Sequence, residues 1–143
     1  MNITKLIFPS IFAALFSLSV GMAHADEADF KDFGGKEGLT KIVDDFMVNV
    51  LADPRIKDKF AKTNIPTLKY MLTEQFCELT GGPCKYPGRD MKTAHTGMGV
   101  DNTMFNALAE DLQIAMEKAG VPQSAQFRLV AKLAPMQPDI VTK

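Results

Sequence analysis

His95 is the residue whose type and setting say most about chemistry. It stands in Met91-Lys-Thr-Ala-His95-Thr-Gly-Met-Gly99, a short helical turn that two glycines then break. The only other histidine, His24, falls in a segment expected to be removed, so the mature chain would carry one imidazole. A neutral imidazole is the commonest protein ligand for a transition metal. One histidine cannot build a zinc site without partners, but it can anchor a haem iron. Taken alone, a histidine on an apolar turn is usually structural, so its surroundings must decide.

Cys77 and Cys84 are the second chemical pair, flanking the turn Gly81-Gly82-Pro83. In an oxidising compartment they would form a disulfide. Two reduced thiols, or a Cys-Cys-His metal site with His95, are the alternatives. The metal site lacks a carboxylate at suitable spacing.

The compartment follows from the first 25 residues. Lys5, an apolar run from Ile7 to Val20, and Ala23-His24-Ala25 have the three-part layout of a secretory signal with an A-x-A cleavage motif. Residues 1–25 are therefore expected to be a signal peptide and residues 26–143 one domain. The protein would be exported, and periplasmic in a Gram-negative bacterium. The apolar run is short for a membrane span, and no second segment is long and apolar enough. Charge is balanced, 16 basic against 17 acidic residues with signs interspersed, and tryptophan is absent. That excludes the basic stripe of a nucleic-acid binder.

Helical periodicity positions these residues. Ile42, Val43, Phe46, Met47, Val50 and Leu51 form an apolar stripe that ends at Ala52-Asp-Pro54. A second stripe, Leu68, Met71, Leu72, Gln75, Phe76 and Leu79, opens near Asn64 and closes at Gly81-Gly-Pro83. A third runs through Phe105, Leu108, Leu112, Ala115, Met116 and Ala119, with Asp101 as cap and Gly120-Val-Pro122 as stop. A fourth runs from about Ser124 through Phe127, Val130 and Leu133 to Pro135. Strand-like alternation is missing, so the class is all-α with four main helices. The glycine-rich stretch from Gly81 to Gly99 cannot hold a long helix, and it carries the histidine.

With these motifs in order, the chain resembles the group I truncated haemoglobins, over roughly residues 33–141. The resemblance rests on Gly34-Gly35, Asp45-Phe46-x-Val48-x-Val50-Leu51-Ala52-Asp53, Phe60-x-x-Thr63-Asn64, Gly81-Gly82-Pro83, Met91-Lys92-x-x-His95-x-Gly97-x-Gly99 and Ala119-Gly120-Val121-Pro122. It implies a two-over-two helical sandwich around one non-covalent b-type haem, with His95 as proximal ligand. Phe60 would pack on the porphyrin face. Phe105, Leu108, Leu112 and Leu133 would line the proximal side and floor, and Leu68, Leu72 and Phe76 complete the cofactor-binding positions. Tyr86 and Lys69 would lie near the haem edge, where a propionate could be held. No C-x-x-C-H is present, which excludes c-type attachment through that motif.

Members of that family carry a tyrosine on the first long helix and a glutamine on the second, both donating hydrogen bonds to the gas ligand. Met47 and Leu72 stand there in this sequence, and Leu68 offers no donor either. Gln75 is the one amide on the same helical face. Met71 occupies a position from which the family recruits a sixth iron ligand. The resemblance therefore implies a binder of oxygen or another diatomic gas, nitric oxide or carbon monoxide included, more readily than an enzyme, with enzymatic activity left open. A one-electron carrier with a His95/Met71-ligated haem and a redox partner is the alternative.

Overall fold

The computed structural model describes residues 24–143, with side chains from residue 28 onward. The signal peptide expected over residues 1–25 lies almost wholly outside the described residues. Seven α-helices are found among them: α1 (His24–Asp32), α2 (Gly35–Ala52), α3 (Ile65–Leu79), α4 (Met91–His95), α5 (Asn102–Lys118), α6 (Gln123–Leu133) and α7 (Gln137–Ile140). Two single 3-10 turns, Lys57–Phe60 and Ala134–Met136, link them. No strand occurs among the described residues.

The helix starts follow from local chemistry. Gly34 and Gly35 take positive φ (75° and 66°), which only glycine adopts at little cost, and turn the chain from α1 into α2. Asn64, Asp90 and Asp101 cap α3, α4 and α5, each side chain accepting the amide hydrogen three residues on. The expected break at Pro135 is instead a change of helix type. Pro135 and Pro138 each sit in the first turn of a short helix, where a missing N–H costs nothing.

α2 packs on both α3 and α5, and α6 closes the other side against α3 and α5. Leu39, Ile42, Val43, Phe46, Met47 and Val50 of α2 meet Phe76 and Cys77 of α3, Leu112, Ala115 and Met116 of α5, and Leu129 of α6. Phe46 and Phe76 lie with ring centroids 6.5 Å apart. Three stripes are narrower than expected. Leu51 and Ala119 are exposed, and Phe127 is 60% exposed because α6 buries Ala125, Gln126 and Leu129 instead. Gln126 tolerates burial because its amide donates to the carbonyl of Val121.

Asp111 of α5 is the awkward group in this core. It is 5% exposed, and its Oδ2 meets no donor among the described residues. Burial pushes its pKa up, and the nearby Asp53 carboxylate adds to that, against the pull of Arg55. A carboxyl with a raised folded-state pKa favours the folded protein most when protonated. Its penalty is complete above the folded pKa and fades as pH falls through that value towards the ordinary carboxylate range. Asp111→Asn should therefore raise the melting midpoint at neutral pH, with the gain over wild type shrinking as acidification brings the pH down towards about 4 and gone below that. Thermal melts of both proteins across that range check it.

Candidate functional site

Between α3, α4, α5 and the C-terminal turns lies a cavity of about 700 Å³. That is within the roughly 300–1,000 Å³ of ligand and cofactor pockets. Its walls are mainly apolar. Phe46, Phe60, Leu68, Met71, Leu72 and Phe76 form one wall, and Phe105, Leu108, Leu112, Val130 and Leu133 form the other. Lys59, Thr63, Asn64, Thr67, Tyr86 and Arg89 are the polar lining groups nearer solvent.

His95 enters this cavity, half-buried, from the last position of α4. Its Nδ1 donates to the carbonyl oxygen of Met91, one turn earlier, at 2.8 Å. A carbonyl only accepts, so the proton sits on Nδ1 and Nε2 keeps its lone pair for a metal. α4 has five residues, too few to persist alone. Its start is fixed by Asp90, which accepts from both the amide and the hydroxyl of Thr93 (2.9 and 2.7 Å). α7 packs along it, and beyond it Thr142 donates to the carbonyl of Val100 (2.9 Å).

The segment leading into α4 is equally constrained. Cys77, at the end of α3, is bonded to Cys84. Gly82 lies against that bridge: a Cβ there would come within 2.6 Å of both the Cys77 sulfur and the Phe30 ring. Glu78 accepts from the amide of Tyr86 (2.8 Å), and the Tyr86 hydroxyl donates to the carbonyl of Arg89 (3.0 Å). Gly88 leaves room for the Tyr86 ring, since a Cβ there would lie 2.2 Å from its hydroxyl. Burial pushes the Tyr86 hydroxyl pKa up, keeping it a neutral donor.

A family model described as bacterial-like globin matches residues 29–142. The chain belongs to the bacterial-like globin family. Among its relatives, a protein named group 1 truncated hemoglobin from Mycolicibacterium paratuberculosis is 37% identical over 82% of this chain and 88% of its own length. One from Synechocystis is 34% identical over 73% of this chain and 85% of its own. Among solved structures, truncated hemoglobin from Tetrahymena pyriformis in an Fe(III) form superposes with TM-score 0.77, at 29% identity, over 80% of this chain and 98% of that one. A 2/2 hemoglobin from a Synechococcus species, described with covalently attached heme, gives 0.75 at 25% identity, over the same shares.

Within this globin the cavity brings together His95, Met71, Phe60, Leu68, Leu72, Gln75, Phe76, Tyr86, Phe105, Leu108, Leu112 and Leu133. Two expected residues fall outside it. Met47 is 1% exposed and packs in the α2 core, because the neighbouring Phe46 takes the cavity-facing position. Lys69 lies a quarter-turn from Leu68 on α3 and pairs with Asp44 at 3.1 Å, in a small surface recess that His95 does not line. Gln75 lines the cavity, 8% exposed, but its Nε2 faces the sulfurs of Met91 and Met136, both at 3.8 Å. It thus reaches towards the histidine helix. Met91, Met98, Met104, Met136 and Ile140 line the cavity as well and were not anticipated. The first-turn prolines at 135 and 138 are the signal that could have placed the last two.

The disulfide closes a short loop, for which chain entropy gives about 2–3 kcal/mol. Cys77→Ser/Cys84→Ser should lose that much unfolding free energy, read from urea titrations. Equal stability would mean the bridge contributes nothing.

Proposed function

We propose that this globin holds one non-covalent haem through His95 and binds a diatomic gas, oxygen or a molecule like it, reversibly. The observation that carries the reading is an imidazole whose Nδ1 is committed to the Met91 carbonyl, standing in an apolar cavity of cofactor size. The donor set suits a haem: one basic nitrogen, aromatic and aliphatic walls, and polar groups gathered towards solvent. Phe60, Leu68 and Leu72 would pack on the macrocycle, and Arg89 with the Thr63 and Thr67 hydroxyls would meet its carboxylates. Non-covalent retention is supported by the cysteines, which are bonded to each other and so offer no thiol.

Haem, when bound, would supply an iron able to take up a gas molecule. The chain's own part is to place Nε2 of His95, to exclude water with the two apolar walls, and to leave the far side without a hydrogen-bond donor. Leu68 and Leu72 offer none there, and the Gln75 amide is turned to Met91 and Met136. A polarised gas ligand would therefore be held without a charge-assisted hydrogen bond and would leave quickly. Met71 lines the same wall as a flexible filler. Nothing in its geometry favours the electron-carrier alternative.

We infer export as well, to the periplasm where an outer membrane exists. Support comes from the signal-like pattern of residues 1–25 and from a disulfide, which persists in oxidising compartments.

His95→Ala should abolish the Soret band of the haem-loaded protein or leave only weak binding, while wild type gives a five-coordinate ferrous spectrum. Full haem affinity in the variant would defeat the assignment, and a six-coordinate ferrous wild type would favour Met71 as ligand.

Leu72→Gln places an amide on the cavity wall and should slow oxygen release about tenfold or more, the equivalent of one charge-assisted hydrogen bond of about 1.5–3 kcal/mol. Stopped-flow release rates decide it. Slow release in wild type with no change in the variant would contradict the donor-free pocket.

A further inference from the structure

Lys59 occupies a position for which the gas-binding reading has no use. It is the next-to-last residue of the 3-10 turn Lys57–Phe60, half-exposed at the cavity's edge. It lines the cavity, and its ammonium donates to the carbonyl of Met98 at 2.9 Å and to that of Gly99 at 3.4 Å. Among the described residues it enters no ion pair, and no other hydrogen bond joins the 53–64 connector to the 96–101 loop.

That loop leads directly out of His95. It is built on Gly97 and Gly99 at positive φ (77° and 60°), and Met98 donates its amide to the His95 carbonyl at 3.1 Å. A loop with two glycines in so few residues loses much conformational freedom when ordered, so it needs an outside tether to stay closed. One tether is the Thr142 amide on the Val100 carbonyl, from the C-terminal end; the other comes from the opposite wall of the cavity. Met98 and Val100 line one side, Lys59 and Phe60 the other, and the ammonium crosses between them. A charged donor on carbonyl oxygens is stronger than a neutral one and needs no carboxylate nearby.

We propose that Lys59 is a strap: by tying the loop after His95 to the turn carrying Phe60, it holds the cavity edge shut and sets how long the cofactor stays. The inference rests on the haem reading for the identity of the occupant. The tie itself belongs to the protein alone. An occupant seated between the loop and the turn is released more readily when they part, so breaking the tie should speed departure more than it weakens the fold.

The test compares wild type, Lys59→Met, which keeps the apolar stem, and Lys59→Arg, which keeps a charged donor. Haem-loaded proteins are mixed with excess apomyoglobin, and transfer is followed at the Soret band. Lys59→Met should release haem about tenfold faster or more, and Lys59→Arg should restore most of the retention. The same ratio is expected with haem dimethyl ester, which has no carboxylate. Equal release in wild type and Lys59→Met overturns the strap. So does an acceleration that vanishes with the ester, because the ammonium would then be acting on a propionate. A second arm uses haem-free protein. Amide exchange at Met98 should rise in Lys59→Met while α2 and α3 amides are unchanged, and no rise there contradicts the tie. That arm separates the two proposals: a wild type that takes up no haem defeats the gas-binding reading and leaves the loop measurement to judge the strap.

Discussion

The hydrogen bond from His95 Nδ1 to the Met91 carbonyl is the constraint on which the site depends. It selects one tautomer, turns the ring about its own helix, and leaves a single lone pair on Nε2 facing the cavity. An imidazole free to flip would offer either nitrogen in either direction. The bond has value only while α4 exists, and α4 is one turn long. Much of the surrounding structure can be understood as what keeps that turn in place. The Asp90 cap fixes its start, the Cys77–Cys84 bridge and the Glu78–Tyr86 bond fix the approach, α7 covers its flank, and Lys59 holds the loop beyond it.

A division of labour follows. The closely packed core belongs to α2, with α3, α5 and α6 around it, and it contributes stability. The cavity lies to one side, where α3 and α5 turn leucines, methionines and phenylalanines to a space that this core does not fill. One helix face serves each purpose. On α3, Leu68, Leu72 and Gln75 look into the cavity, while Lys69 pairs with Asp44 of α2. Polar groups gather near solvent and leave the apolar walls almost free of donors, which is the arrangement a haem with charged carboxylates and a greasy ring requires.

The helical class, the four long helices and the site of His95 were legible because each rests on a local rule. Periodicity marks the buried face, and Asn64 and Asp101 mark helix starts. The Gly-Gly-Pro turn brings two cysteines into reach. What was misplaced depends on tertiary neighbours. Met47 and Phe46 are adjacent in sequence and equally apolar, and only the packing of α2 against α3 decides that Phe46 reaches the cavity. Lys69 looked like a cavity-edge cation until Asp44, 25 positions earlier, came to face it. Lys59, in the charged run Lys57-Asp-Lys59, reads from sequence as part of a solvated face, because its acceptors are backbone carbonyls some 40 residues away.

The most direct measurement is a titration of the haem-free protein with haem, followed by resonance Raman spectroscopy of the reduced complex. The account predicts saturation at one haem per chain and an iron–histidine stretching band, since His95 is the imidazole the cavity presents. No saturable uptake, or uptake without that band, would contradict it.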